Sequence, residues 1–132
     1  MNKILIIDSN KDYHLIYRRK LRLLKFNLTF VCSVSEALDQ LEKKDFDFVI
    51  IEHLLKKKSG VEVYDNLRES GYTGPIMVMT CANGVKREHY NGIVNMVHKS
   101  IDSKQLCDTI LNLIYTEESE QPTQVRKIRE DF

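Results

Sequence analysis

Four polar side chains that suit phosphate and metal chemistry stand where short apolar runs end. They are Asp8, Glu52, Thr80 and Lys99. A continuous apolar run of this kind indicates a strand buried on both faces, as in the centre of a parallel sheet. Parallel strands place their carboxyl ends at one edge, where open α/β sheets bind ligands. We therefore expect the four side chains to meet in one crevice.

This set of side chains supports the binding of a hard cation and a phosphoryl group. Carboxylates such as those of Asp8 and Glu52 are ligands for Mg²⁺, whereas a hydroxyl and an ammonium contact phosphoryl oxygens. Each residue alone is equally compatible with an ordinary position at the end of a strand. Their shared placement at strand ends is what indicates a site.

Strand-like and helix-like patterns alternate along the chain. The apolar runs fall at residues 4–7, 26–32, 48–52, 76–80 and 93–97, and the helical patterns at 13–24, 35–43, 61–67 and 103–114. Ser33 and Glu36 match a capping box, and Ser103 suits the cap of the last helix. The alternation predicts an α/β fold, with a five-stranded parallel sheet and helices on both faces in three α/β/α layers. Residues 81–92 leave room for only a short helix.

The first helix is amphipathic, with a basic outer face. Its apolar stripe consists of Tyr13, Ile16, Tyr17, Leu21 and Leu24, and its basic residues are Arg18, Arg19, Lys20, Arg22 and Lys25. The loop Lys56–Lys58 is a second basic patch. We interpret that loop mainly as solvated surface. A net charge of only +1 and the lack of interleaved aromatics argue against direct nucleic-acid binding.

The 132 residues suffice for one domain with a real core. We place this domain at 1–116, followed by a charged tail at 117–132 that is either flexible or a partner-dependent helix. The first apolar run is too short for a signal peptide, and no run approaches membrane-spanning length, so we expect a cytoplasmic protein without membrane contact. Cys32, Cys81 and Cys107 have no paired spacing, and we expect buried thiols.

Several of these segments resemble the receiver domains of bacterial two-component response regulators, over about residues 2–116. The resemblance rests on Ile4-Leu5-Ile6-Ile7-Asp8, on Asp47-Phe48-Val49-Ile50-Ile51-Glu52 with the later Gly60, on Pro75-Ile76-Met77-Val78-Met79-Thr80 and on Val97-His98-Lys99. It implies a flavodoxin-like fold and a role in phosphorelay signalling rather than catalysis. It also implies a protein partner, either a histidine kinase or a downstream output protein, and leaves a homodimer open.

The resemblance assigns a role to each candidate residue. Glu52 stands at the position of the phosphoacceptor, and Asp8 and Ser9 stand at the acidic pair that binds Mg²⁺. Thr80 and Lys99 occupy the positions that respond to the phosphoryl group. Any metal would therefore be held by Asp8 and Glu52.

The chain departs from the pattern of the family at several of these positions. The family's phosphoacceptor is Asp rather than Glu52, and Ser9 replaces the second carboxylate of the acidic pair. Lys56 and Ser100 replace two common prolines, and Met96 is the nearest match to an aromatic switch residue. The segment between Thr80 and Lys99 is also shorter than usual for the family.

These departures point away from ordinary phosphorylation. Glu52 carries its carboxylate about 1.5 Å further out than Asp would, and misplacement by about 1 Å costs on the order of 10²-fold in rate. Ser9 also removes one charge that would hold Mg²⁺. We predict a phosphorylation-independent protein-binding module that requires no cofactor. Glu52 would reach Lys99 and mimic the phosphorylated state; a second hypothesis of equal weight is a silent site kept as a scaffold.

Two alternatives stay open. The first is a receiver that still accepts a phosphoryl group or binds Mg²⁺ at its degenerate site. The second, from another class, is a small flavodoxin-like nucleotide-binding enzyme. It is disfavoured because Asp8-Ser9-Asn10-Lys11 stands where a glycine-rich phosphate loop would follow the first strand.

Overall fold

The described part of the chain folds into one parallel sheet between two pairs of helices. The computed structural model describes residues 2–55, 58–81, 90 and 95–119. Its strands are β1 (Lys3–Ile7), β2 (Asn27–Val31), β3 (Phe48–Glu52), β4 (Ile76–Thr80) and β5 (Asn95–His98). Its helices are α1 (Lys11–Lys20), α2 (Val34–Lys43), α3 (Gly60–Glu69) and α4 (Ser103–Ser119).

The strand order is β2-β1-β3-β4-β5, with every neighbouring pair parallel. The predicted five-stranded, doubly wound sheet is confirmed. β3 lies at its centre, and all five of its residues are buried. Alternate residues face opposite layers, so that Ile51 packs in the core with α2 and α3, whereas Ile50 packs in the core with α1 and α4.

Side chains before the helices fix where α2 and α4 begin. The Ser33 hydroxyl accepts a hydrogen bond from the Glu36 amide at 3.3 Å, as the capping box predicts. The Glu36 carboxylate accepts from the amide of Cys32 at 2.7 Å, one residue earlier than that motif requires. Asp102, not Ser103, caps α4, since its carboxylate accepts from the Gln105 amide at 2.8 Å. The prediction for Ser103 was wrong because an Asp stood one residue earlier.

The first helix is shorter and less fully packed than its apolar stripe predicts. Tyr17 and Leu21 are buried, but Ile16 is exposed and α1 already ends at Lys20. The Lys20 ammonium donates to the backbone carbonyls of Lys99 at 3.0 Å and Ile101 at 2.5 Å. One basic residue of α1 therefore holds the loop between β5 and α4 instead of facing solvent.

Two expectations about cysteines were wrong, and others fall outside the described residues. Cys107 is buried, but Cys32 is half-buried and Cys81 is exposed because each follows the end of a strand. The predicted domain boundary after residue 116 lies inside α4. Other expectations concern parts of the chain that the structure does not describe, namely Lys56, Lys57, most of 81–92, residues 93–94 and the tail at 120–132.

Candidate functional site: an ion-pair cluster at the strand ends

Four of the predicted site residues are buried together at the carboxyl edge of the sheet. The buried polar or charged residues of the described chain are Asp8, Glu52, Thr80 and Lys99, and none of them is more than 7% exposed. Thr80 is joined to Lys99 through the backbone, since its carbonyl accepts from the Lys99 amide at 2.9 Å. Ser9 is half-buried and lines a neighbouring cavity.

Lys99 is the centre of this cluster. Its ammonium donates to Asp8 Oδ2 at 2.7 Å and is paired with Glu52 Oε1. The predicted contact between Glu52 and Lys99 is therefore present. Desolvation lowers the pKa of Lys99, but the hydrogen bonds and charges of Asp8 and Glu52 outweigh it, so the pKa is raised. Lys99 thus stays charged at neutral pH and binds both carboxylates.

The second oxygen of each carboxylate is held by the loop that follows its strand. Asp8 Oδ1 accepts from the Asn10 amide at 2.9 Å, and Glu52 Oε2 accepts from the Leu54 amide at 3.1 Å. Each carboxylate therefore bridges Lys99 and its own loop. The loops after β1 and β3 are therefore both linked, through these carboxylates, to the Lys99 ammonium.

Tyr13 covers the ammonium, a role that the sequence did not predict. The Lys99 Nζ atom lies 3.4 Å from the centroid of the Tyr13 ring, in a cation–π contact. The Tyr13 hydroxyl is 3.2 Å from the Sγ atom of Cys81, which directly follows Thr80. Tyr13 packs against the core, as its place in the apolar stripe predicts, and its position in the first turn of α1 also puts it at the carboxyl edge.

The β3–α3 connection packs tightly beside the cluster. An added Cβ at Gly60 would come within 2.5 Å of the Tyr90 hydroxyl and 2.8 Å of the His53 Cα atom. Tyr90 Oη is 2.7 Å from His53 Nδ1, so the residue after Glu52 is tied to the connection between β4 and β5. The lack of a side chain at Gly60 allows α3 to begin against the end of β3.

Asp8 and Glu52 are the residues that would hold Mg²⁺, the ion that the family resemblance implies, and both are paired with Lys99. A Mg²⁺ site needs oxygen ligands in octahedral geometry around the cation. Here Lys99 provides the positive charge between Asp8 and Glu52. Within the described ranges, no group of three or more His, Cys, Asp or Glu side chains is arranged to hold a metal.

The fold and the cluster together define a class of protein, namely doubly wound α/β domains with an acidic site and a lysine at the sheet edge. The model of the response regulator receiver domain family matches residues 4–111. The chain belongs to this family, whose members are signalling modules of two-component systems.

Two curated proteins illustrate the relationship. The chain is 27% identical over 93 residues to the transcriptional regulatory protein CpxR of Escherichia coli K12, covering 70% of this chain and 39% of that protein. It is 25% identical over 114 residues to the autoinducer 2 sensor kinase/phosphatase LuxQ of Vibrio vulnificus YJ016, covering 83% and 13% respectively. The chain therefore spans well under half the length of either relative.

Solved structures show the same fold. The signal receiver domain of an HD domain-containing protein from Pseudomonas fluorescens Pf-5 superposes with a TM-score of 0.77 at 17% identity, covering 90% of this chain and 98% of that one. The response regulator TrrA of Thermotoga maritima, in complex with Mg²⁺–BeF, gives 0.72 at 20% identity and covers 86% and 99%. Among the helices that the structure describes, none has the length and apolarity needed to cross a bilayer.

Proposed function

We propose that this receiver domain acts as a protein-binding module whose signalling state does not depend on phosphorylation. The observation that carries the proposal is the Lys99 ammonium held between Asp8 and Glu52. In a receiver, the lysine at this position responds to a phosphoryl group on the acceptor. Here the longer Glu52 side chain presents its own carboxylate to Lys99, and we infer that it replaces the phosphoryl oxygen.

Three features support the loss of phosphoryl transfer. Both Glu52 oxygens are engaged, one by Lys99 and one by the Leu54 amide, so attack on phosphorus would compete with these two contacts. The Tyr13 ring lies over the ammonium that would contact the incoming group. Ser9 supplies a hydroxyl where the family has a second carboxylate for Mg²⁺.

The partner is a protein of a two-component pathway. Receiver domains interact with histidine kinases and with output domains, and we propose one of these classes for this chain. We propose a cytoplasmic location and no direct contact with nucleic acid, and the proposal leaves a homodimer open. That the tail at 117–132 is either flexible or a partner-dependent helix stays a prediction.

The test is an amide NMR titration with Mg²⁺ and then beryllofluoride, a mimic of an acyl phosphate. We expect no shifts at Asp8, Glu52, Thr80 and Lys99 in the wild-type protein. The double variant Ser9→Asp/Glu52→Asp restores both carboxylates of the family pattern and shortens the acceptor by about 1.5 Å. It should respond to beryllofluoride only when Mg²⁺ is present.

The two proteins form a matched pair because they share every other residue. A wild-type response that requires both reagents would overturn the proposal and favour the alternative of a working phosphoryl site. Glu52→Gln tests the mimicry separately, because it keeps the side-chain length and removes the charge. It should reduce binding to the partner, and unchanged partner binding would favour the silent-scaffold hypothesis.

A further inference from the structure

A cavity of about 550 Å³ lies beside the ion-pair cluster, on the α2 and α3 side of the sheet edge. Its walls come from the loop after β1, the start of α2, the loop after β3 and the first turn of α3. The lining residues are Ser9, Lys11, Cys32, Ser33, Val34, Ser35, Leu55, Lys58 and Val63. The volume falls within the range of about 300–1,000 Å³ that is typical of small-molecule sites.

The lining combines an apolar floor with a positively charged rim. Val63 is fully buried, and Val34 and Leu55 are partly buried and pack against the same core. Two exposed lysines come from different elements, since Lys11 is the first residue of α1 and Lys58 lies in the loop after β3. None of the described lining residues is acidic. The site therefore complements a ligand that has an apolar body and a negative charge.

Two serines at the start of α2, Ser33 and Ser35, also line the cavity. The Ser33 hydroxyl caps the helix by accepting from the Glu36 amide. The carboxylate in this turn, that of Glu36, is engaged by the Cys32 amide and does not line the cavity. No acidic group of the described lining thus opposes an anion at the rim.

We propose that this cavity binds a small organic anion, with its apolar body on Val34, Leu55 and Val63 and its charge between Lys11 and Lys58. The cavity is distinct from the Asp8–Glu52–Lys99 cluster but shares its loops. Ser9 directly follows Asp8, and Leu55 follows the residue whose amide holds Glu52. A ligand in the cavity would contact the two loops that position the carboxylates of the cluster.

The experiment compares three probes that separate the charge from the apolar body. The probes are 2-naphthoate, its neutral amide 2-naphthamide, and inorganic phosphate, each titrated into the full chain and followed by amide NMR. We expect 2-naphthoate to shift the amides of Ser9, Ser33, Val34 and Ser35. Because each exposed ion pair is worth up to about fivefold in affinity, it should bind about 2- to 30-fold more tightly than 2-naphthamide.

Surface variants test the proposed contacts without disturbing the core. Lys11→Gln and Lys58→Gln should each weaken 2-naphthoate binding by about 2- to 5-fold and leave 2-naphthamide binding unchanged. Lys43→Gln removes an equally exposed cation from the far end of α2 and is the matched control. Ser35→Trp, at the exposed rim, should block both naphthyl probes.

Several outcomes would overturn the proposal. These are equal affinity for the acid and the amide, shifts confined to other parts of the molecule, or no shifts at millimolar probe. The proposal would also be overturned if Lys43→Gln weakened 2-naphthoate binding as much as Lys11→Gln does. The effect would then come from net charge and not from the cavity. The proposal is independent of the proposed function, since neither lysine belongs to the ion-pair cluster.

Discussion

At the scale of single residues, the cluster shows how a charge is kept inside this domain. A buried ammonium loses its hydration, at a cost of several kcal/mol that one ion pair need not offset. Lys99 has two carboxylates and the face of Tyr13 around it, and the second oxygens of both carboxylates are hydrogen-bonded. Removing one partner would leave the other charges only partly compensated, so each member of the cluster restricts the others.

Tyr17 provides a contrasting case. Its side chain is buried, but its hydroxyl has no hydrogen-bond partner within the part of the chain that the structure describes. Burying a hydroxyl without a partner costs about 1–3 kcal/mol. We therefore expect Tyr17→Phe to leave the free energy of unfolding unchanged or to raise it by about 1 kcal/mol, measured by urea denaturation at pH 7.

Tyr64 is the matched control for this substitution. It is as deeply buried as Tyr17, but its hydroxyl accepts a hydrogen bond from Arg68 Nε at 3.3 Å. Tyr64→Phe should therefore lower the free energy of unfolding by about 1 kcal/mol. Equal losses in the two variants would show that the Tyr17 hydroxyl has a partner, such as a buried water.

At the scale of elements, the start of α3 depends on close contact with the end of β3. The Gly60 amide donates to the His53 carbonyl at 2.7 Å, and Ser59 caps the helix by accepting from the Glu62 amide at 3.3 Å. Because a Cβ at Gly60 would overlap His53 and Tyr90, Gly60→Ala should destabilise the protein by about 1–3 kcal/mol.

A double variant identifies the source of this strain. Tyr90→Phe removes the hydroxyl that an added Cβ would meet at 2.5 Å, but the Cα atom of His53, at 2.8 Å, belongs to the backbone. The double variant Gly60→Ala/Tyr90→Phe should therefore recover only part of the stability that Gly60→Ala loses, relative to Tyr90→Phe alone. Full recovery by urea denaturation would contradict the proposed backbone contact.

The elements of the fold were predictable because their signals are local. The apolar runs of β1, β3 and β4 predicted the strands to within a residue, since strands buried on both faces need continuous apolar sequence. The end of α1 was missed because Leu21 and Leu24 continue the helical spacing into a turn. Periodicity reports which face is buried, not where the helical hydrogen bonds stop.

The candidate site was predictable in its members but not in its contacts. The members were predicted from their positions at the ends of strands, because a parallel sheet brings those ends together. They are Asp8, Glu52, Thr80 and Lys99. The contact between the Tyr13 ring and the Lys99 ammonium was not predicted. An aromatic residue in an apolar stripe gives the same sequence pattern whether its ring packs only in the core or also on a cation. Tyr13 does pack against the core as its pattern predicts, and its second contact, with Lys99, has no signal in the sequence.

At the scale of the whole molecule, several buried groups change stability in the same direction at alkaline pH. The pKa of Lys99 is raised, with its carboxylate partners outweighing desolvation, and burial raises the pKa values of Tyr17 and Tyr90. The unfolded chain releases these protons near pH 10, the ordinary range of Tyr and Lys. The native state therefore holds more protons than the unfolded state above that pH.

The sign of the resulting pH dependence follows from this difference. Stability falls with rising pH wherever the native state binds more protons, by up to about 1.4 kcal/mol per pH unit for each such group. We expect the free energy of unfolding to be nearly constant from pH 7 to 9 and to fall steeply between about pH 10 and 12, measured by urea denaturation at fixed ionic strength.

Tyr17→Phe removes one of the groups, so the fall of its unfolding free energy with pH should be shallower by up to about 1.4 kcal/mol per pH unit. An identical slope in Tyr17→Phe and wild type would contradict a raised pKa for Tyr17. A flat profile through pH 11 would contradict the buried cluster as a whole, because Lys99 would then lose its proton as readily when folded as when unfolded.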